Sequence, residues 1–159
     1  MQGDAIVTHL EEAVRGGMKF QNLLEKAVEL IHECDENFHW TGIYELYPDG
    51  MLRLGPFIGA PTDHVFIGVG EGVCGTAVKE EKNQNIPDVM AIENYLACST
   101  QTRSELVVLI RDEKMIYAQV DLDSHIVDAF AGDVEGEVQK VADFLAKQYR
   151  ARASQKRAA

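Results

Sequence analysis

Ser104-Glu105-Leu106-Val107-Val108-Leu109-Ile110 and Met115-Ile116-Tyr117-Ala118-Gln119-Val120-Asp121-Leu122-Asp123 are two apolar runs separated by the charged Arg111-Asp112-Glu113-Lys114. Runs of this length and composition read as strands, and the four residues between them as a tight turn, so the segment predicts a central antiparallel hairpin. Upstream, Trp40-Thr41-Gly42-Ile43-Tyr44-Glu45-Leu46-Tyr47 is followed by Pro48-Asp49-Gly50 and Met51-Leu52-Arg53-Leu54, which predicts a second hairpin. Residues 55–75 are rich in Gly and Pro and hold one short apolar run, Val65-Phe66-Ile67, suited to an edge strand. Residues 76–81 read as a short helix, Gln84-Asn85-Ile86-Pro87-Asp88-Val89 as a brief strand and turn, and residues 90–102 as irregular or weakly helical.

Helical spacing takes over at both ends of the chain. Residues 8–15 and 20–34 carry apolar residues at helical intervals, with Leu23, Leu24, Ala27, Val28, Leu30 and Ile31 forming one stripe, and Gly16-Gly17 separating the two segments. From Gly132 onward Val134, Val138, Val141, Ala142, Leu145 and Tyr149 predict a closing helix, after which the basic stretch 151–159 is expected to fray. Helices, then hairpins, then a helix is the order of an α+β fold, with a central antiparallel sheet flanked by N- and C-terminal helices in one domain over residues 1–150.

Composition narrows the function classes. With 159 residues the chain is large enough to bury a core without staples, and 46% hydrophobic against 26% charged residues is a globular balance. A formal net charge of −11 would repel a polyanion, so no nucleic acid is expected as a partner. The N-terminal residues lack a basic segment followed by an apolar one, and no stretch approaches the length of a bilayer span; the expectation is a cytoplasmic protein without a membrane partner. Three cysteines are an odd number, which argues against a disulfide framework. Neither they nor the five histidines show the spacing of a metal motif, so no metal is expected.

The chemistry-bearing residues gather in the second half. Cys74 lies in Gly70-Glu71-Gly72-Val73-Cys74-Gly75-Thr76-Ala77, where flanking glycines leave the sulfur uncovered, and Cys98 is followed shortly by Arg103-Ser104-Glu105; two such thiols could form a redox pair. Cys34, beside Ile31 on a predicted helix, reads as a small buried hydrophobe. Asp121 and Asp123 are two apart on a strand and point to one face. Alone they would read as a solvated strand face. Near Glu105 on the neighbouring strand, they make an acidic cluster that is costly unless something cationic sits among them, such as a ligand amine. Trp40, alone at a strand start, reads as core.

In order along residues 40–130, Trp40-x-Gly42-x-Tyr44, Leu54-Gly55-Pro56-Phe57-x-Gly59, Gly70-x-Gly72-Val73-Cys74-Gly75-Thr76-Ala77, Pro87-Asp88-Val89, Ala97-Cys98, Ser104-Glu105 and Asp121-x-Asp123-Ser124 resemble the GAF-domain free methionine-(R)-sulfoxide reductases, which reduce the R epimer of free methionine sulfoxide. The resemblance implies a GAF domain and an oxidoreductase without a cofactor, dependent on an external thiol reductant such as thioredoxin, and homodimeric. It implies that Cys98 attacks the sulfoxide sulfur and is left as a sulfenic acid. Glu105, Asp121 and Asp123 would hold the ammonium of methionine sulfoxide or a related small amino acid and help protonate the departing oxygen. Trp40 and Tyr44 would form an aromatic wall at the methylthio end.

Two positions depart from the family. His64 stands where the family has its preferred resolving cysteine, and Asn94-Tyr95-Leu96 replaces its Gly-His-Ile. Three outcomes stay open for the sulfenic acid: resolution by Cys74, resolution by a small external thiol, or an impaired enzyme. A chain that kept the pocket and lost the redox cycle would be a GAF ligand-binding or sensor module, and His64 is the residue that favours this alternative.

Overall fold

Both expected hairpins form, and they share one sheet. The computed structural model describes residues 2–93, 95 and 100–155, together with the backbone of 156–158. Among the described residues the strands are β1 (Trp40–Leu46), β2 (Met51–Ile58), β3 (Phe66–Gly68), β4 (Gln84–Ile86), β5 (Ser104–Arg111) and β6 (Ile116–Ser124), and the α-helices are α1 (Gly3–Arg15), α2 (Phe20–His32), α3 (Gly72–Glu80) and α4 (Val134–Ala158). The strands form a single sheet in the order β3-β2-β1-β6-β5-β4, and every neighbouring pair is antiparallel. The α+β expectation therefore holds.

Strand alternation gives the sheet two different faces. Ile43, Leu106, Val108, Ile110, Val120 and Leu122 point to one side and pack with Leu10 of α1, Leu23 and Leu24 of α2, and Val141 and Leu145 of α4, all buried. Each fully buried side chain of this kind contributes about 2 kcal/mol relative to exposure. The other side carries Trp40, Tyr44, Val107 and Leu109, which pack with Leu52, Ile67 and the α3 residues Val73, Cys74, Ala77 and Val78. Cover on both sides explains why β5 reads as continuously apolar rather than alternating.

Several element bounds differ from the sequence reading, and at the two chain ends a tertiary contact accompanies the difference. Helix α1 begins at Gly3 rather than at residue 8, where the Gly3 N–H donates to Glu137 Oε1 of α4 at 3.0 Å. Strand β2 runs on to Ile58 through Gly55-Pro56, which occupy an irregularity in its pairing with β1; β3 pairs only with Met51, Leu52 and Arg53, so Pro56 faces no ladder on that side. Helix α3 begins at Gly72, four residues earlier than expected. The tail expected to fray is helical through Ala158, and the Arg152 guanidinium lies 4.5 Å from the centre of the Phe20 ring.

Candidate functional site

Register brings the acidic residues together. Glu105 of β5 pairs directly with Asp123 of β6, Asp121 sits two residues along opposite Val107, and β1 flanks them with Trp40 opposite Asp123 and Gly42 opposite Asp121. All of these point to the face covered by α3. Glu105, Asp121 and Asp123 are 3%, 0% and 1% exposed, so the strand face is a buried one, and the solvated reading is excluded.

The thiol of Cys74 joins them from above. Its Sγ lies 3.8 Å from Glu105 Oε1, and the sulfur, a Glu105 oxygen and an Asp121 oxygen all lie within 4.8 Å of one another. The expectation that flanking glycines leave this sulfur uncovered is corrected: Cys74 is buried. A Cβ on Gly75 would clash with the Gly68 carbonyl oxygen and meet the Gly70 nitrogen at 2.9 Å. The glycine therefore serves close approach of α3 to the end of β3, which presses the helix, and the thiol with it, onto the sheet. Gln119, at the buried position two residues before Asp121, donates through Nε2 to the Cys74 carbonyl at 3.1 Å and so anchors the helix from below. Sequence reading missed Gln119, although the same period of two that pairs Asp121 with Asp123 points it into the site.

Beside the carboxylates lies an aromatic stack. The Trp40 ring passes over Gly42, where a Cβ would clash with its Cη2, and stacks on Phe57 with centroids 5.5 Å apart and on Tyr44 at 6.2 Å. Trp40 Nε1 donates to the Ala60 carbonyl at 3.0 Å and the Tyr44 hydroxyl to the His64 carbonyl at 2.8 Å, so two otherwise costly buried donors are satisfied. His64 is half-buried, and its carbonyl ties the 60–65 loop to the stack. Tyr95 packs against this same apolar cluster.

Cys98 lies outside the described residues, as do Asn94, Leu96, Ala97 and Ser99. Cys34 corrects a second expectation: it is exposed, because α2 ends at His32 and leaves it beyond the buried stripe, where its Sγ donates to the Leu30 carbonyl at 3.2 Å.

Electrostatics sets this site apart from ordinary core. Both oxygens of Asp121 are buried without a hydrogen-bond donor from outside the cluster among the described residues, its partners being the Glu105 and Cys74 side chains, and none of the described Lys, Arg or His side chains forms an ion pair with Glu105 or Asp121. Burial, and then the charges of Asp121 and Asp123, push the Glu105 carboxyl well above the ordinary glutamate range; burial also raises Asp121. A carboxyl whose folded pKa is raised stabilises the fold most below its unfolded pKa, here the ordinary 4.5 of glutamate, and that contribution is lost as pH rises through the folded value. His32 and His39, both lowered chiefly by burial, work in the opposite sense, stabilising above 6.5 and less below it. The difference between wild type and Glu105→Gln isolates the carboxyl. Urea denaturation is expected to show Glu105→Gln gaining stability relative to wild type between pH 5 and pH 8; a constant difference would refute the shift.

An antiparallel sheet with N- and C-terminal helices on one face and a short helix over an acidic, aromatic-lined patch on the other is the architecture of a GAF domain. The GAF domain of a phosphoenolpyruvate-protein phosphotransferase from Coxiella burnetii superposes with a TM-score of 0.83, over 100% of this chain and 98% of that one, at 18% identity. No family model matches the chain. Free methionine-R-sulfoxide reductase of Escherichia coli (strain K12) is 33% identical over 132 residues, 83% of this chain and 79% of that protein. The X-ray structure of free methionine-R-sulfoxide reductase from Neisseria meningitidis in complex with its substrate superposes with a TM-score of 0.85 at 25% identity, covering 94% of this chain and 89% of that one. The chain belongs to the free methionine-R-sulfoxide reductase family.

Proposed function

We infer that this protein reduces free L-methionine-(R)-sulfoxide to methionine, and that the face of β5 and β6 beneath α3 receives the amino acid. The observation that carries the reading is the buried trio Glu105, Asp121 and Asp123, with Asp121 lacking a donor from outside the cluster and with no ion pair to Glu105 or Asp121 among the described residues. An α-ammonium brings a positive charge and three N–H donors to such a cluster. A methionine sulfoxide inside a peptide has an amide in that place, so the cluster selects the free amino acid. Trp40, packed between Gly42, Phe57 and Tyr44, offers an apolar ring surface for the methylthio end.

The chemistry assigned to Cys98 balances without a cofactor. Its thiolate attacks the sulfoxide sulfur, the oxygen takes a proton, and transfer of that oxygen to the cysteine sulfur releases methionine and leaves a sulfenic acid. Glu105, kept protonated by burial and by its acidic neighbours, is the proton donor. A thiol then condenses with the sulfenic acid, releasing water and forming a disulfide, and a second thiol reduces that disulfide. Cys74 or an external thiol takes the first of these roles, and a thioredoxin-type reductant the second.

Incubation of the reduced chain with L-methionine-(R)-sulfoxide and dithiothreitol or thioredoxin tests the reading by chromatographic detection of methionine. Methionine formation from the free R epimer is expected, with no conversion of a peptide-bound sulfoxide to its thioether. Saturable calorimetric binding without methionine release would replace the enzyme with a GAF binding module.

A further inference from the structure

The cluster contains one atom that an ammonium does not need, the Cys74 sulfur. The geometry points to a second occupant of this cavity, a thiophilic divalent cation and zinc in particular, held by the Cys74 thiolate, Glu105 and Asp121 and excluding the amino acid while it is bound. The three donors arrive from α3, β5 and β6, and all three residues are buried. With zinc–sulfur and zinc–oxygen bonds of about 2.3 and 2.1 Å, tetrahedral donors stand about 3.6 Å apart. The Cys74 sulfur and Glu105 oxygen are already 3.8 Å apart, and the whole donor set lies within 4.8 Å, so modest side-chain rotation closes it.

Asp121 provides the independent sign of a missing ligand. Both its oxygens are wholly buried and find no donor among the described residues outside the cluster itself, where its partners are the Glu105 and Cys74 side chains; a buried carboxylate is ordinarily paired. The donor chemistry selects among cations. Magnesium and calcium prefer oxygen alone, whereas one thiolate with two carboxylates suits a borderline-soft ion. Three protein ligands leave the fourth position open. Binding sends the thiol proton, and any proton on the carboxyls, to solvent. Since the two carboxylates are those assigned above to the ammonium, metal and amino acid exclude each other; that exclusion rests on the proposed function, whereas the metal site rests on geometry alone.

Cobalt(II) titration of the phosphine-reduced full chain in thiol-free buffer reads the site directly, with no substrate or turnover. The expected result is one cobalt per chain with thiolate-to-metal charge-transfer absorption that zinc abolishes. The absorption is expected to persist in Cys34→Ser and to vanish in Cys74→Ser. Affinity is expected to fall by at least about tenfold in Asp121→Asn, which keeps every thiol and whose near-ultraviolet circular dichroism reports folding. Absence of the absorption in wild type, its full survival in Cys74→Ser, or unchanged affinity in Asp121→Asn would overturn the site. Undiminished calorimetric binding of methionine sulfoxide to the zinc-loaded chain would overturn the exclusion.

Discussion

Cys98→Ser is expected to lower methionine release by about a thousandfold or more, the scale seen when a covalent nucleophile is removed. The reason is electronic. Reduction of a sulfoxide needs an atom that attacks sulfur and can then keep the oxygen, and a thiolate does both, ending as a sulfenic acid. A serine hydroxyl is a poor nucleophile near neutral pH and cannot be oxidised in this way. The measurement is a single turnover without reductant: wild type releases one equivalent of methionine and leaves a sulfenic acid or a disulfide, and Cys98→Ser releases none. Cys74→Ser is expected to keep that single turnover and to slow only steady-state reduction with a dithiol. Cys34→Ser, which alters an exposed thiol distant from the carboxylates in sequence and element, serves as the control. Full activity in Cys98→Ser would remove the nucleophile from this account.

Asp121→Asn is expected to move activity and stability in opposite directions. In the proposed complex Asp121 accepts a charge-assisted hydrogen bond from the substrate ammonium, and its loss should raise KM about 30- to 100-fold, corresponding to about 2 to 3 kcal/mol. The empty protein bears the cost of that carboxylate at all times, because both oxygens are buried without a donor from outside the acidic cluster among the described residues, and Glu105 and Asp123 lie beside it. Removing the charge relieves repulsion and desolvation. A stability gain of about 1 kcal/mol at pH 8 is expected from urea denaturation, the pattern of a functional group maintained at the expense of the fold. An unchanged KM, or a loss of stability, would show that Asp121 serves the architecture instead.

Much of this molecule is legible along the chain because its determinants are local. Two apolar runs around a charged turn specify the β5–β6 hairpin, apolar residues at helical spacing specify α2 and α4, and a period of two places Asp121 and Asp123 on one face. The motif set carried the family as well, since it depends on residue order, which a sequence displays directly. Element ends were less legible. Helix α1 starts at Gly3 because Glu137, 134 residues away, receives its N–H, and α4 passes through a basic stretch with Arg152 over Phe20.

Packing between distant segments alone settles which residues are covered and which atoms meet. Glycines around Cys74 predict an uncovered sulfur, yet the missing side chains let α3 settle onto the sheet, and the thiol is buried 3.8 Å from Glu105. Cysteine spacing gives no sign of a ligand set, because the donors come from α3, β5 and β6 and are neighbours only in space. Local sequence sets backbone preference and the direction of side chains, whereas burial, and with it the raised pKa of Glu105, arises from what the rest of the chain places above them.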